Sequence, residues 1–199
     1  MLDTNARKFV QPLLDMVAAP LIKLGFSANA VTIMALVFGV FSAGAVCLQW
    51  NWAAIALLWL SGLFDAVDGT VARKTGSSSP VGTLLDIVFD RIVEILLLMA
   101  LIYVMPDLAV HVAVVLSTII ISMCVFLTVG ASAKNKVNTE AKKSFYYQVG
   151  LTERSEALIM ITLSVLLVDY RGIVLLVFAG MILFTAGQRF IEAIRILRE

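Results

Sequence analysis

Six apolar runs, at residues 29–49, 53–72, 82–105, 108–132, 154–169 and 172–191, each approach the length a helix needs to cross the hydrocarbon of a bilayer. Short polar or turn-forming breaks divide them: Asn51 after Trp50, residues 74–80 (KTGSSSP), Pro106 with Asp107, residues 134–143, and Asp169 to Arg171. No second, soluble domain fits between the runs. Of the 199 residues 61% are apolar and 15% charged, and the mean hydropathy is +0.99, values that soluble domains rarely approach. The expected fold is therefore an all-α integral membrane protein of six transmembrane helices. An N-terminal interfacial amphipathic helix over residues 1–25 precedes a six-span bundle over 29–191, and residues 1–199 form one domain.

Charge sets the orientation. With the N-terminus in the cytoplasm, every Lys and Arg of the 15 except Arg171 falls on or near the cytoplasmic side. Both termini are expected there. Ahead of the first run, Phe9, Leu13, Leu14, Val17, Leu21 and Ile22 recur at helical spacing beside Arg7, Lys8 and Lys23. Two placements stay open for this helix, in the membrane interface or packed on the bundle, and Pro12 and Pro20 are expected to kink it. Cys47 and Cys124 lie inside apolar runs and suggest no disulfide framework. The lone His111 follows Pro106 and Asp107 on the solvent side, where no ligand role is expected. The net charge of +1 gives no sign of a nucleic-acid partner.

The unusual chemistry is concentrated between Asp65 and Asp90, where the chain reads DAVDGTVARKTGSSSPVGTLLDIVFD. Asp65 and Asp68 are three apart and Asp86 and Asp90 four apart, so each pair shares one face of its helix. A short loop makes those helices antiparallel neighbours, which brings four carboxylates together at one depth near the cytoplasmic boundary. A carboxylate at mid-bilayer costs about 2.5–3.5 kcal/mol on insertion scales. Two such charges about 5 Å apart repel by roughly 3 kcal/mol at an effective dielectric of 20. Protons or cations must intervene, and an all-oxygen donor set suits Mg²⁺, Mn²⁺ or Ca²⁺ rather than zinc. Gly69, Ala72 and Gly82 leave room for a phosphate-bearing ligand, or serve close helix packing. Arg73 stands at the helix end, where its planar fork suits a phosphate.

The pattern D-x2-D-G-x2-A-R-x8-G-x3-D-x3-D is filled at every fixed position, by Asp65, Asp68, Gly69, Ala72, Arg73, Gly82, Asp86 and Asp90. It resembles the signature of the CDP-alcohol phosphotransferases, and the six-run layout agrees with that family along nearly the whole chain. The resemblance implies a metal-dependent enzyme that moves the phosphatidyl group of CDP-diacylglycerol onto a polar alcohol and releases CMP. It implies Asp65, Asp68, Asp86 and Asp90 as ligands of two Mg²⁺ or Mn²⁺ ions, with Asp90 also the general base. Asn29, Thr32, Asp68, Gly69, Arg73, Ser79 and Gly82 would surround the CDP-lipid, although Ser79 equally suits a plain loop serine, and Asn29 and Thr32 ordinary helix positions. Relatives pair as homodimers, and the expected location is the cell inner membrane with the active site facing the cytoplasm.

Acceptor choice is expected from cations outside the motif: Lys134 and Lys136 after the fourth run, Arg154 opening the fifth and Arg189 near the end of the sixth. Each also suits an ordinary positive-inside anchor. The GLTERSE and QR segments resemble phosphatidylinositol-phosphate synthases, which implies an acceptor such as inositol phosphate. The stretch 134–150 departs from those enzymes, so glycerol phosphate, serine or another alcohol stays open. A divalent cation transporter explains the aspartates alone, but not the glycines and arginine at fixed offsets.

Overall fold

A computed structural model describes the backbone of residues 2–133 and 154–198 and the side chains of residues 10–128 and 154–194. The helices are α1 (Leu2–Lys23), α2 (Ala28–Cys47), α3 (Asn51–Thr75), α4 (Pro80–Val104), α5 (Ala109–Ala133), α6 (Arg154–Leu166) and α7 (Arg171–Arg198). Single 3₁₀ turns at Pro106–Leu108 and Val168–Tyr170 lead into α5 and α7. Each expected run holds a helix. Among the described residues, four stretches are long and apolar enough to cross a membrane: Ala28–Cys47, Asn51–Thr75, Pro106–Thr128 and Val168–Ile194. α4 has the length, at 25 residues, but carries Asp86, Asp90, Arg91 and Glu94; α6 has 13 described residues. Lys134 and Lys136 lie outside the described residues.

Local chemistry sets the ends of the helices that carry the motif. Ser27 caps α2, its Oγ accepting from Ala30 N at 3.2 Å, and Ser79 caps α4, its Oγ accepting from Gly82 N at 3.0 Å. Pro80 follows at the first turn of α4, where a missing N–H costs nothing. α3 stops at Gly76, whose φ of +66° is a left-handed conformation that favours glycine. α1 runs through both Pro12 and Pro20 as one helix.

α2 packs on α3 and α4, α5 on α7, and α6 on both α3 and α7. Leu58, Leu97, Leu98, Leu101, Val112, Val115, Leu175 and Phe178 make up the buried centre. Polar side chains join the apolar helices: Ser42 Oγ donates to Ala54 O and Ser61 Oγ to Ala35 O, each at 2.7 Å, tying α2 to α3 at two levels. Gly39, a small residue that also suits a subunit contact, is used inside the molecule, since a Cβ there would run into the Val93 side chain of α4.

A second apolar cluster seats α1: Leu14 and Ala18 are buried against Ala28, Val31, Val67 and Val71. The bundle-packed placement of α1 is thus present, while its outer face leaves Leu13 and Met16 exposed. At the opposite end, Arg171 is buried, its Nε donating to Ser164 O at 2.9 Å and its Nη2 to Val165 O at 3.3 Å. Arg171 thus caps the last turn of α6. Trp50, Trp52 and Trp59 are exposed, as an interfacial aromatic belt requires.

Candidate active site

α3 and α4 present their aspartates to one another as the three- and four-residue spacings dictate. Carboxylate oxygens of Asp65, Asp68 and Asp86 all lie within 4.8 Å of one another. Thr32 of α2 adds a hydroxyl that donates to Asp68 Oδ2 at 2.6 Å, in buried surroundings. Asp90, one turn beyond Asp86, is engaged by two guanidinium groups. Arg91 Nη2 stands 2.5 Å from Asp90 Oδ2, and Arg154 Nη2 stands 3.1 Å from Asp90 Oδ1. The other terminal nitrogen of Arg154 reaches Asp65 Oδ2. Arg154 therefore bridges α3 and α4, a position within the carboxylate cluster that no sequence spacing reveals.

The cluster adjoins two cavities. One, of about 170 Å³, is lined by Asn29, Thr32, Asp68, Gly69, Arg73, Ser79 and Gly82 together with Asp86. All the residues expected around the CDP-lipid thus line one cavity. The two glycines keep it open: a Cβ on Gly82 would stand 3.2 Å from Asn29 Oδ1 and 3.3 Å from Ser79 Oγ, and one on Gly69 would stand 3.2 Å from Arg73 Nη1. Arg73 in turn donates through Nη2 to Thr70 Oγ1 at 2.9 Å. The other cavity, of about 180 Å³, brings Arg154 and Arg189 together with Asp90, although the two arginines are far apart in sequence. Arg91, Glu94, Ser122 and Thr185 also line it, and none of these was expected there. The Arg91–Glu94 pairing itself follows from their i,i+3 spacing, with Nη1 to Oε2 at 2.5 Å.

At the cytoplasmic edge expected for the motif, α1 is fastened to α3. Lys74 Nζ stands 2.9 Å from Asp15 Oδ1, and Gln11 Nε2 donates to the same oxygen at 3.0 Å. The Lys74 hydrogen bond, with the Gln11 amide second, holds the Asp15 carboxyl below its ordinary range.

The donor set suits a hard divalent cation: three carboxylates converge, Asp68 is 7% exposed and the side chain of Asp65 10% exposed, and the cluster contains oxygen ligands alone. Comparison with known proteins agrees. The sequence model of the CDP-alcohol phosphatidyltransferase family matches residues 26–190. The chain belongs to that family. It is thus an integral membrane transferase, and the family match leaves the cation-transporter alternative without support.

Among curated relatives, Inner membrane protein YnjF of Escherichia coli is 31% identical over 170 residues, 83% of this chain and 82% of that protein. The archaetidylinositol phosphate synthase of Pyrococcus horikoshii is 27% identical over 167 residues, 82% of this chain and 81% of that protein. Among solved structures, the phosphatidylinositol phosphate synthase of Mycobacterium tuberculosis with CDP-DAG bound superposes with a TM-score of 0.73. That likeness covers 92% of this chain and 94% of that one at 21% identity, and shows the shared fold.

Proposed function

We propose that the protein transfers the phosphatidyl group of CDP-diacylglycerol to a polar, phosphate-bearing alcohol such as inositol phosphate, releasing CMP. The observation that carries this reading is the pair of cavities beside one carboxylate cluster. Asp86 lines the first and Asp90 the second, so α4 presents one carboxylate to the nucleotide and another to the acceptor. Arg154 and Arg189 supply the positive charge that a phosphate-bearing acceptor needs. Relatives named as a phosphatidylinositol phosphate synthase and an archaetidylinositol phosphate synthase add weight to that acceptor over glycerol phosphate or serine.

Asp65, Asp68 and Asp86, with Asp90 as a fourth ligand, would hold two Mg²⁺ or Mn²⁺ ions. Those ions, when bound, neutralise pyrophosphate charge and polarise the phosphorus under attack. Gly69 and Gly82 let the pyrophosphate approach the backbone, and Arg73, Asn29 and Ser79 orient the nucleotide. Asp90 takes the proton from the acceptor hydroxyl. The acceptor oxygen then bonds to the lipid-side phosphorus, whose bond to the CMP oxygen breaks with the electron pair leaving on CMP. Thr32 fixes the Asp68 carboxylate throughout.

The membrane setting completes the reading. Residues 1–199 form one domain with six crossings, α4 and α6 included, and α1 lies in the interface with its exposed Leu13 and Met16 toward lipid. Both termini and the site face the cytoplasm of an inner membrane, as the distribution of Lys and Arg favours. Two copies associate as a homodimer.

The test is CMP release by the purified protein with Mn²⁺ and CDP-diacylglycerol, across inositol phosphate, glycerol phosphate, serine and inositol. A phosphorylated acceptor is expected to stimulate release, and Asp90→Asn to lower it by about 10²–10⁴-fold. Full activity in Asp90→Asn removes the base from the mechanism, and release with serine or inositol alone removes the phosphate-bearing acceptor.

A further inference from the structure

Glu94 is a buried carboxylate, 7% exposed, at the boundary between the Arg154–Arg189 cavity and the fully buried Leu97 and Leu98 of the same helix. A buried ion pair is often no more stabilising than apolar side chains of the same volume, so an apolar residue would serve packing at this position as well or better. The charge has a clear partner. Glu94 Oε2 stands 2.5 Å from Arg91 Nη1, while Arg91 Nη2 is committed to Asp90 Oδ2 at 2.5 Å. The guanidinium is thereby hydrogen-bonded to Asp90 and ion-paired with Glu94. A guanidinium carries five N–H donors, so the hydrogen bond to Asp90 leaves several for a ligand. The Arg91 side chain keeps 30% exposure and lines the cavity that Arg154 and Arg189 also line.

We propose that Arg91 is a third guanidinium for the acceptor's anionic group, and that Glu94 is the positioning residue that aims it into the cavity. The inference rests on the acceptor reading above and deepens it: the site selects an alcohol carrying a doubly charged phosphate monoester over a neutral polyol. Orientation matters because a guanidinium recognises phosphate through a planar fork, and a fork free to rotate loses the paired geometry.

The test uses the full-length protein with Mn²⁺ and CDP-diacylglycerol, with inositol 1-phosphate as the probe and inositol as its neutral counterpart. Arg91→Met and Glu94→Gln are expected to raise the KM for inositol 1-phosphate about tenfold or more, the size of a lost charge-assisted hydrogen bond. The KM for CDP-diacylglycerol is expected to stay within about twofold, because Arg91 and Glu94 do not line the nucleotide cavity. Glu94→Asp, which keeps the charge, is expected to recover part of the loss.

The double variant Arg91→Met with Glu94→Leu guards against simple misfolding. An apolar pair in place of a buried ion pair is expected to keep the thermal midpoint while the acceptor KM stays raised. If the wild-type enzyme needs the phosphate but this folded double variant keeps its acceptor KM, the pair is packing and the proposal is overturned by itself. A wild-type enzyme that uses inositol as well as inositol 1-phosphate overturns the acceptor reading, and the anion role of Arg91 with it.

Discussion

Thr32 shows how one hydroxyl joins a helix outside the motif to the site. Its 2.6 Å hydrogen bond to Asp68 Oδ2 keeps a carboxylate of the proposed cation site from turning. Charge-assisted bonds of this kind contribute about 1.5–3 kcal/mol. Thr32→Val, which keeps the shape, is therefore expected to lower Mn²⁺ affinity and kcat/KM for CDP-diacylglycerol by roughly tenfold or more. Calorimetric Mn²⁺ titration checks the first effect without any turnover, and an unchanged affinity would remove Thr32 from the site. Gly69→Ala has a different signature. The added methyl meets the end of the Arg73 side chain, which can swing aside, so the thermal midpoint should hold while the KM for CDP-diacylglycerol rises several-fold.

At the scale of the helices, the site depends on how closely α2, α3 and α4 approach. Gly39 sets the α2–α4 distance, because any Cβ there collides with Val93. Gly39→Leu is expected to destabilise the protein by at least about 1–3 kcal/mol, the usual range for overpacking. Val93→Ala in the same chain should recover part of that loss, whereas at a lipid-facing or subunit-facing glycine it would recover nothing; thermal melts in detergent separate the two. α1 offers a pH test. Asp15 is held below its ordinary range by Lys74, so its contribution to α1 docking is present above the unfolded value near 3.9 and is lost as pH falls through the depressed value. The protection of α1 amides, relative to their intrinsic exchange rate at each pH, should be steady from about pH 7 to 5 and fall below about 4, with the pH effect reduced in Asp15→Asn. The pair is largely exposed, so the change should be small.

The whole molecule holds several carboxylates against apolar helices, and that charge should make stability respond to the cation. Mn²⁺ at about a hundred times its dissociation constant is expected to add about 2.7 kcal/mol to the wild-type protein and visibly raise its melting point. Asp86→Asn should lose most of that increment while keeping the fold. A melting point indifferent to Mn²⁺ would mean that the carboxylates hold no ion. Topology is checked in the same intact chain. With Cys47 and Cys124 removed, a cysteine placed at Ser77 is expected to label from the cytoplasmic side, and one at Asp107 from the other.

How far the amino-acid sequence reaches is decided by the range of each interaction. Apolar runs of helical length and the KTGSSSP break between two of them are local, and the structure follows them, with Gly76 ending α3 and Ser79 capping α4 instead of standing as a plain loop serine. The aspartate spacings are equally local: of the four carboxylates expected together, Asp65, Asp68 and Asp86 lie within 4.8 Å of one another, while Asp90 is engaged by Arg91 and Arg154. The pairing of Arg91 with Glu94 was legible too, but not the cavity they line, because that cavity needs side chains from α5 and α7. Arg154 was readable as a cation near the acceptor; its bridge between Asp65 and Asp90 depends on where α6 packs against α3. Hydrophobic periodicity acts over a few residues and determined the helices and their order. Side-chain shape acts only on contact, so Gly39 against Val93 and Leu14 of α1 against Val31, Val67 and Val71 were decided by tertiary packing alone.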